Sequence, residues 1–235
     1  MNADEAAVAT YPAMAVEEER SFLTRVMGWM CAGLLVTGLI AWAIGTSASA
    51  ANWVSNHPYV FLGLLLAELG AVISLSALIG KMTPAVAAGV FLLYAAMNGV
   101  TFSLIFVVYT TASIFTTFLI TSAMFGALAA FGYTTKRDLS SLGSIAFMAL
   151  IGLILASIVN LFWANGALYW ITTYAGVAIF SVLTAYDMQK IKKLNVAGNV
   201  GTDADKREAI LGALALYLDF VNLFLYLLRI FGKRR

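Results

Sequence analysis

The chain has 235 residues, of which 62% are apolar and only 11% are charged, and its mean hydropathy of +0.90 lies outside the range of soluble globular proteins. A soluble enzyme is thereby excluded, and the net charge of +2, carried by short basic clusters between apolar runs, excludes a nucleic-acid-binding surface. The single cysteine and the single histidine, Cys31 and His57, exclude an intramolecular disulfide and argue against a zinc centre.

Seven apolar runs follow one another along the chain, with clear breaks between them. They cover residues 22–44, 59–79, 85–109, 114–133, 142–162, 168–188 and 209–231. A helix needs about 20 mostly apolar residues to cross a bilayer, and these runs are far longer than the roughly 10-residue strands of a membrane barrel. We therefore predict an all-α integral membrane protein with seven transmembrane helices.

Polar ends flank this helical domain, which we place at residues 21–232. Residues 1–20 form an acidic tail that includes Glu17, Glu18 and Glu19, and we expect it to be mobile or to dock a partner. Residues 233–235 form a basic C-terminal end. Because the chain starts with the polar, acidic residues 1–19 rather than with a basic region followed by a short apolar one, we expect the first run to be a retained helix and not a cleaved signal peptide.

Lysine and arginine occur in alternate connections. The basic residues of the N-terminal flank and of the second, fourth and sixth connections are Arg20, Arg25, Lys81, Lys136, Arg137, Lys190, Lys192, Lys193, Lys206 and Arg207. The positive-inside rule therefore places the N-terminus in the cytoplasm. Arg229, Lys233, Arg234 and Arg235 oppose this rule, so either the last segment is re-entrant or the other charges outweigh it; we favour seven crossings.

Two further patterns concern packing. Residues 189–208 contain several glycines and aspartates and no apolar periodicity, which predicts a flexible cytoplasmic loop. In the fourth run, small residues recur at four-residue spacing, Ala123 with Ala127 and Gly126 with Ala130, which predicts close helix packing there.

Three acidic residues, Glu68, Asp187 and Asp219, lie inside apolar runs. A carboxylate inside a bilayer is costly unless it is paired, hydrated or protonated, so each is a candidate functional residue. The structural alternative is a protonated or hydrogen-bonded acid that only fixes helix packing.

Asp187 and Asp219 lie on consecutive, antiparallel runs, so they could face each other, with Asn222 one turn after Asp219. Two carboxylates in contact in a poorly hydrated site resist double ionisation and titrate as one unit. They also offer the hard oxygen ligands that calcium prefers. We therefore predict a site at which protons and calcium ions compete.

Other polar residues could extend this path. Glu68 lies near the middle of the second run, and Asn98 lies in the third, although an uncharged polar side chain more often forms a hydrogen bond between helices. Lys81 follows Glu68 at the membrane edge, where its ammonium can reach the interface.

Two motifs give the chain a resemblance to a known family. Residues 184–191 have the sequence TAYDMQKI, and residues 215–224 have the sequence ALYLDFVNLF, followed by LLRIFG at 227–232. In this order and on these helices, the motifs are similar to those of the Bax inhibitor-1 family, the transmembrane Bax-inhibitor-motif proteins, in its bacterial form.

The resemblance implies a fold and an activity. The seventh helix would be central and surrounded by the other six, and the protein would be a passive, pH-sensitive calcium leak gated by Asp187 and Asp219, with Glu68 in the ion path. The resemblance also implies an arginine that latches onto the sixth-helix aspartate. At the position of that arginine, this chain has Ile79. Lys81 is a candidate substitute, although an ammonium cannot reproduce the planar fork of a guanidinium.

Other functions remain open. The resemblance implies the bilayer, calcium ions and protons as partners, and also a membrane quality-control protease or other membrane proteins. In the alternative function, the chain would be a non-transporting adaptor that modulates such a protease or the cell-death and stress machinery. An intramembrane aspartyl protease also has paired aspartates, but Leu216, Tyr217 and Leu218 stand where such enzymes have a glycine-rich turn. We therefore predict no enzymatic activity and no resident cofactor, in a bacterial inner membrane or, alternatively, the endoplasmic reticulum.

Overall fold

The protein is a bundle of long helices in the computed structural model, which describes residues 3–194 and 201–235. The helices are α1 (Ala3–Thr46), α2 (Ala48–Asn56), α3 (Pro58–Leu78), α4 (Pro84–Phe102), α5 (Ile105–Val108), α6 (Thr111–Thr134), α7 (Ser140–Phe162), α8 (Gly166–Leu194) and α9 (Asp203–Phe231). In the described ranges, seven helices are long and apolar enough to cross a membrane. The prediction of an all-α membrane protein is confirmed.

The helix ends follow local sequence signals. The side-chain oxygens of Ser47, Thr83, Thr110 and Thr202 each accept a bond from a backbone amide in the first turn of the helix that follows, which satisfies a donor that has no partner within the helix. Proline stands in the first turn of α3 and of α4, where its missing N–H costs nothing.

Three helices, α1, α8 and α9, extend beyond the predicted apolar runs. α1 begins at Ala3, so the segment expected to be a mobile or docking tail continues the first helix; this segment is rich in alanine, the strongest helix former. α8 continues to Leu194 and α9 begins at Asp203, which shortens the predicted 189–208 loop, and residues 195–200 of that loop lie outside the described residues. Asp203 and Asp205 in the first turn of α9 favour a helix start because they complement its dipole.

α9 contributes more residues to the core of the described chain than any other helix. Sixty-seven per cent of its apolar window is buried, against 11% for α3 and for α7. It packs against α1, α4, α6 and α8, while α3 packs against α4 and α7 against α8. Tyr217, Leu216 and Leu223 of α9 are fully buried. Most side chains in the apolar part of α9 are therefore buried, whereas much of α3 and α7 faces outward.

The predicted small-residue contact in α6 is wrong. Ala123, Gly126, Ala127 and Ala130 are all exposed, because four-residue spacing occurs on every face of a helix and does not select the packed one. The buried face of α6 carries Ile114, Thr117, Thr121, Phe125, Ala129 and Gly132. The close approach occurs at Gly132, where an added Cβ would overlap the carbonyl oxygen of Ala185 on α8.

The C-terminal residues return to the bundle after α9 ends. The amide of Thr110 donates to the carbonyl of Lys233 at 3.0 Å, and the amide of Arg235 donates to the carbonyl of Val108 at 3.0 Å. α9 is one continuous helix of 29 residues, and its C-terminal end lies beside the connection between α5 and α6. This geometry supports seven crossings over a re-entrant last segment.

Candidate functional site

Asp187 and Asp219 lie on the packed helices α8 and α9. Asp219, near the middle of α9, is 4% exposed, and Asp187 is partly buried. The two carboxylates are close enough to interact electrostatically. The structure thus brings together the two aspartates that the sequence singled out.

The carboxylate of Asp219 is incompletely bonded. Its Oδ2 atom is buried and has no hydrogen-bond partner among the described residues. The next residue, Phe220, packs edge-on against Phe118 and Phe125 of α6, with ring centroids 5.5 and 5.4 Å away, and so contributes an apolar wall. A buried carboxylate oxygen without a partner is costly unless a proton or a cation meets it.

Close contacts hold α8 beside Asp187. Gly132 of α6 abuts the backbone of Ala185, and an added Cβ at Gly143 of α7 would lie 2.5 Å from the ring of Tyr186. These contacts involve the two residues immediately before Asp187. The backbone of α8 next to Asp187 is therefore packed on two sides.

The other predicted polar residues bond mainly within their own helices. The side-chain amide of Asn222 donates to the carbonyl of Leu218 at 2.8 Å, and that of Asn98 donates to the carbonyl of Tyr94 at 3.2 Å. Since these bonds join residues one turn apart, they do not tie Asn222 or Asn98 to either aspartate.

Glu68 belongs to a second polar cluster. The hydroxyl of Thr101 on α4 donates to Glu68 Oε1 at 2.5 Å, and the Glu68 carboxylate interacts electrostatically with Tyr94 and Tyr217. The Tyr217 hydroxyl lies 2.7 Å from the Thr37 hydroxyl of α1. Because successive side chains on a helix turn by about 100°, Tyr217 and Asp219 lie on opposite sides of α9. The structure therefore separates Glu68 from the aspartate pair, with α9 between them.

Lys81 was the candidate substitute for the arginine that latches onto Asp187, but the two residues do not form an ion pair in the described part of the chain. Lys81 ends a short 3-10 turn, Ile79–Lys81, that packs against α9, and it is exposed. The basic group that interacts electrostatically with Asp187 is Lys190, three residues further along α8.

The aspartates form a pair and not a larger cluster. In the part of the chain that the structure describes, no group of three or more His, Cys, Asp or Glu side chains gathers at one place. Two carboxylates supply at most four oxygens, whereas calcium takes six to eight.

A comparison with protein-family models confirms the family resemblance that the two motifs suggested. The family model described as inhibitor of apoptosis-promoting Bax1 matches residues 19–235. The chain belongs to the Bax inhibitor-1 family. Its relatives include the inner membrane protein YbhL of Escherichia coli K12, which is 49% identical over 223 residues that cover 92% of this chain and 93% of YbhL.

More distant relatives extend over the same length. A protein of Borreliella burgdorferi is 40% identical over 217 residues, covering 92% of this chain and 94% of its own. One of Deinococcus radiodurans is 38% identical over 219 residues, covering 93% of both. The match to the family model, over residues 19–235, therefore extends across all seven apolar helices.

The contact that Gln189 makes beside Asp187 was not predicted from the sequence, although Gln189 lies in the TAYDMQKI motif. The side chain of Gln189 is buried, accepts from the amide of Leu139 at 2.9 Å and donates to the carbonyl of Arg137 at 2.8 Å. It joins α8 to the start of α7, two residues after Asp187. Its place in the TAYDMQKI motif was the available signal.

A second missed contact joins residues distant in sequence. Nη2 of Arg25 on α1 donates to both carboxylate oxygens of Asp205, at 3.0 and 2.8 Å, and Oδ2 of Asp205 also accepts from the amide of Gly201 at 2.8 Å. Asp205 is buried. This ion pair fixes the first turn of α9, the helix that carries Asp219, to α1.

Proposed function

We propose that this Bax inhibitor-1 protein is a passive calcium leak of the bacterial inner membrane whose flux depends on pH through Asp187 and Asp219. The observation that carries the proposal is the electrostatic interaction between these carboxylates on the packed helices α8 and α9, with Asp219 buried. The inner membrane agrees with the name of the relative YbhL. Alternating basic connections favour a cytoplasmic N-terminus.

The arrangement of the helices fits this role. We place α9 at the centre of the bundle, in contact with α1, α4, α6 and α8, with α3 and α7 further out. A central helix that carries an acid on one side and a tyrosine on the other reaches both polar clusters. Movement of α9 against its neighbours would change access to Asp219 without unfolding the bundle.

Competition between protons and calcium supplies the pH dependence. When both aspartates are ionised they repel each other, and a divalent cation between them relieves this repulsion. Protonation removes both the repulsion and the calcium ligands. The Oδ2 atom of Asp219, which has no hydrogen-bond partner among the described residues, is the atom that would bind a proton or a calcium ion.

Weak binding is appropriate for a leak. Because calcium prefers six to eight oxygens, a site with two carboxylates must draw the remainder from water or backbone carbonyls. An ion held this way can leave again, as conduction requires. Glu68, in the second cluster on the other side of α9, would be a separate acidic position along the ion path.

The test is calcium entry into proteoliposomes containing the full chain, followed with an enclosed fluorescent indicator over about pH 5 to 8. We expect a pH-dependent flux above that of empty liposomes. Asp187→Asn and Asp219→Asn should each flatten the pH dependence, because an amide cannot titrate. Asp203→Asn, the same substitution in the first turn of α9, is the matched control and should retain the native profile.

Two results would contradict the proposal. A flux no greater than that of empty liposomes at every pH would remove the leak itself. A native pH profile in both aspartate variants, with native elution on gel filtration, would assign the pH dependence to other groups.

A further inference from the structure

The basic C-terminal residues lie at one end of the bundle, and the connections at that end contain no acidic side chain that could pair with them. Backbone hydrogen bonds to residues 108–110 hold this segment in place. The connections at this end are residues 47–57, 103–110, 163–165 and 232–235, and none contains Asp or Glu. Arg229, Lys233, Arg234 and Arg235 therefore bring four positive charges without a compensating carboxylate from a neighbouring connection.

A cavity of about 540 Å³ opens beside two of these arginines. It is lined by Tyr169, Trp170, Arg229, Ile230, Gly232 and Arg234. These lining residues, all in the described part of the chain, include no acidic side chain. Both guanidinium groups therefore border a space that suits an anion.

Tyrosine side chains contact both arginines, with Arg229 over two rings and Arg234 bonded to a hydroxyl. The guanidinium carbon of Arg229, in the last turn of α9, lies 5.4 Å from the ring centroid of Tyr169 and 5.0 Å from that of Tyr226. Nη2 of Arg234 donates to the hydroxyl of Tyr169 at 3.4 Å. Arg229 is half-buried. Arginine stacked on aromatic rings loses little further freedom when it binds a ligand, because its planar fork is already oriented.

The surface beside the cavity suits lipid. On α8, Trp170, Ile171 and Tyr174 are 44%, 64% and 58% exposed, and the rings of Trp170 and Tyr174 stack at 5.8 Å. Tryptophan and tyrosine are enriched at membrane interfaces, where an apolar ring meets the headgroup region. A ligand at this place can put an anionic group in the cavity and an apolar chain along α8.

We propose that this cavity binds the phosphate group of an anionic phospholipid, between Arg229 and Arg234. Guanidinium groups bind phosphate oxygens through paired, charge-assisted hydrogen bonds. The bound lipid supplies a negative charge at an end where the connections contain no acidic side chain. It also accounts for a basic C-terminal segment that lies opposite the other basic clusters.

The test is native mass spectrometry of the full chain in detergent, titrated with phosphatidylglycerol, with phosphatidylcholine or with inorganic phosphate. We expect the native chain to retain phosphatidylglycerol in preference to phosphatidylcholine, and millimolar phosphate not to displace it. Arg229→Gln and Arg234→Gln should each weaken this retention by about fivefold or more. Arg235→Gln removes the same charge from the same segment outside the cavity lining and should have little effect.

Three results would overturn the proposal. Equal losses in all three arginine variants would indicate diffuse attraction by the basic segment. Equal retention of the two lipids would remove the requirement for an anion. Displacement by inorganic phosphate would make free phosphate the ligand. If Arg229→Gln does not fold, Arg234→Gln still decides the question, because its side chain is exposed and Arg235→Gln remains its control.

Discussion

Tyr217 and Asp219 are separated by one residue on α9, yet their side chains belong to different polar clusters. The Tyr217 hydroxyl lies 2.7 Å from that of Thr37 on α1, whereas Asp219 faces α8 and interacts with Asp187. Glu68 interacts with Tyr217. One helix therefore separates two acidic sites that the sequence alone would merge into one.

This separation predicts distinct effects of the two acids on calcium flux. Glu68→Gln should lower the flux in proteoliposomes and leave its pH dependence in place, because the aspartate pair is intact. Asp219→Asn should flatten the pH dependence. In the double variant the two effects should combine multiplicatively, as expected for groups without a shared partner. A flat pH profile in Glu68→Gln alone would contradict the separation.

The ion pair between Arg25 and Asp205 predicts a loss of stability. Asp205→Asn should lower the free energy of unfolding by about 1–3 kcal/mol, because it leaves the Arg25 guanidinium without its charged partner. Asp203→Asn is the control, since the Asp203 side chain is 68% exposed in its pair with Lys206 and an exposed pair contributes about 0–1 kcal/mol. Unfolding followed by circular dichroism in mixed detergent measures both. Equal stability of the two variants would exclude a structural role for the Arg25 pair.

Close packing of α6 on α8 makes Gly132 intolerant of a larger side chain. Gly132→Ala would place a Cβ that overlaps the Ala185 carbonyl oxygen, so the helices must separate. We expect the free energy of unfolding to fall by about 1–3 kcal/mol. Gly126→Ala on the same helix meets nothing within 4 Å and should be neutral or stabilising, since alanine favours a helix more than glycine. Thermal unfolding in detergent distinguishes the two. Similar melting temperatures for both variants would show that α6 and α8 can adjust at this contact.

Asp138, in the connection between α6 and α7, gives a prediction about pH. Hydrogen bonds from Ser140, and after them the Lys193 ammonium, hold the pKa of this exposed carboxyl below its ordinary value of 3.8. A lowered pKa means that the contact with Lys193 is favourable above the unfolded value and is lost as pH falls through the lower, folded one.

Ser140→Ala should therefore raise the pKa of Asp138 toward 3.8, because it removes the hydroxyl that donates at 2.8 Å. Carboxyl carbon chemical shifts across an acid titration measure this change directly. Ser144→Ala, one turn further along α7, removes a hydroxyl bonded to the Ser140 carbonyl and should leave the titration midpoint unchanged. An unchanged midpoint in Ser140→Ala would show that this hydroxyl does not stabilise the carboxylate.

Most of the secondary structure could be predicted from the sequence. A bilayer imposes length and apolarity on each segment separately, so every crossing is visible in a local window of residues. The same local reasoning identifies Glu68, Asp187 and Asp219, because an acid within an apolar run is conspicuous wherever the run packs. It misplaces the start of α1 and the loop after α8, where helices continue into polar sequence.

Contacts between helices required the tertiary structure. Arg25 and Asp205 lie 180 residues apart, and neither is unusual in its own segment. The outward position of Ala123 and Gly126 and the inward position of Gly132 depend on how α6 is rotated, which apolarity does not determine when every face of a helix is apolar.

The sequence by itself thus determined the membrane class, the seven crossings and the three intramembrane acids, because these follow from local composition. The tertiary structure alone decided which acids lie together, which face of each helix is packed and where the basic C-terminal segment attaches. These depend on the register and rotation of helices, and both are set by side-chain packing between segments distant in the chain.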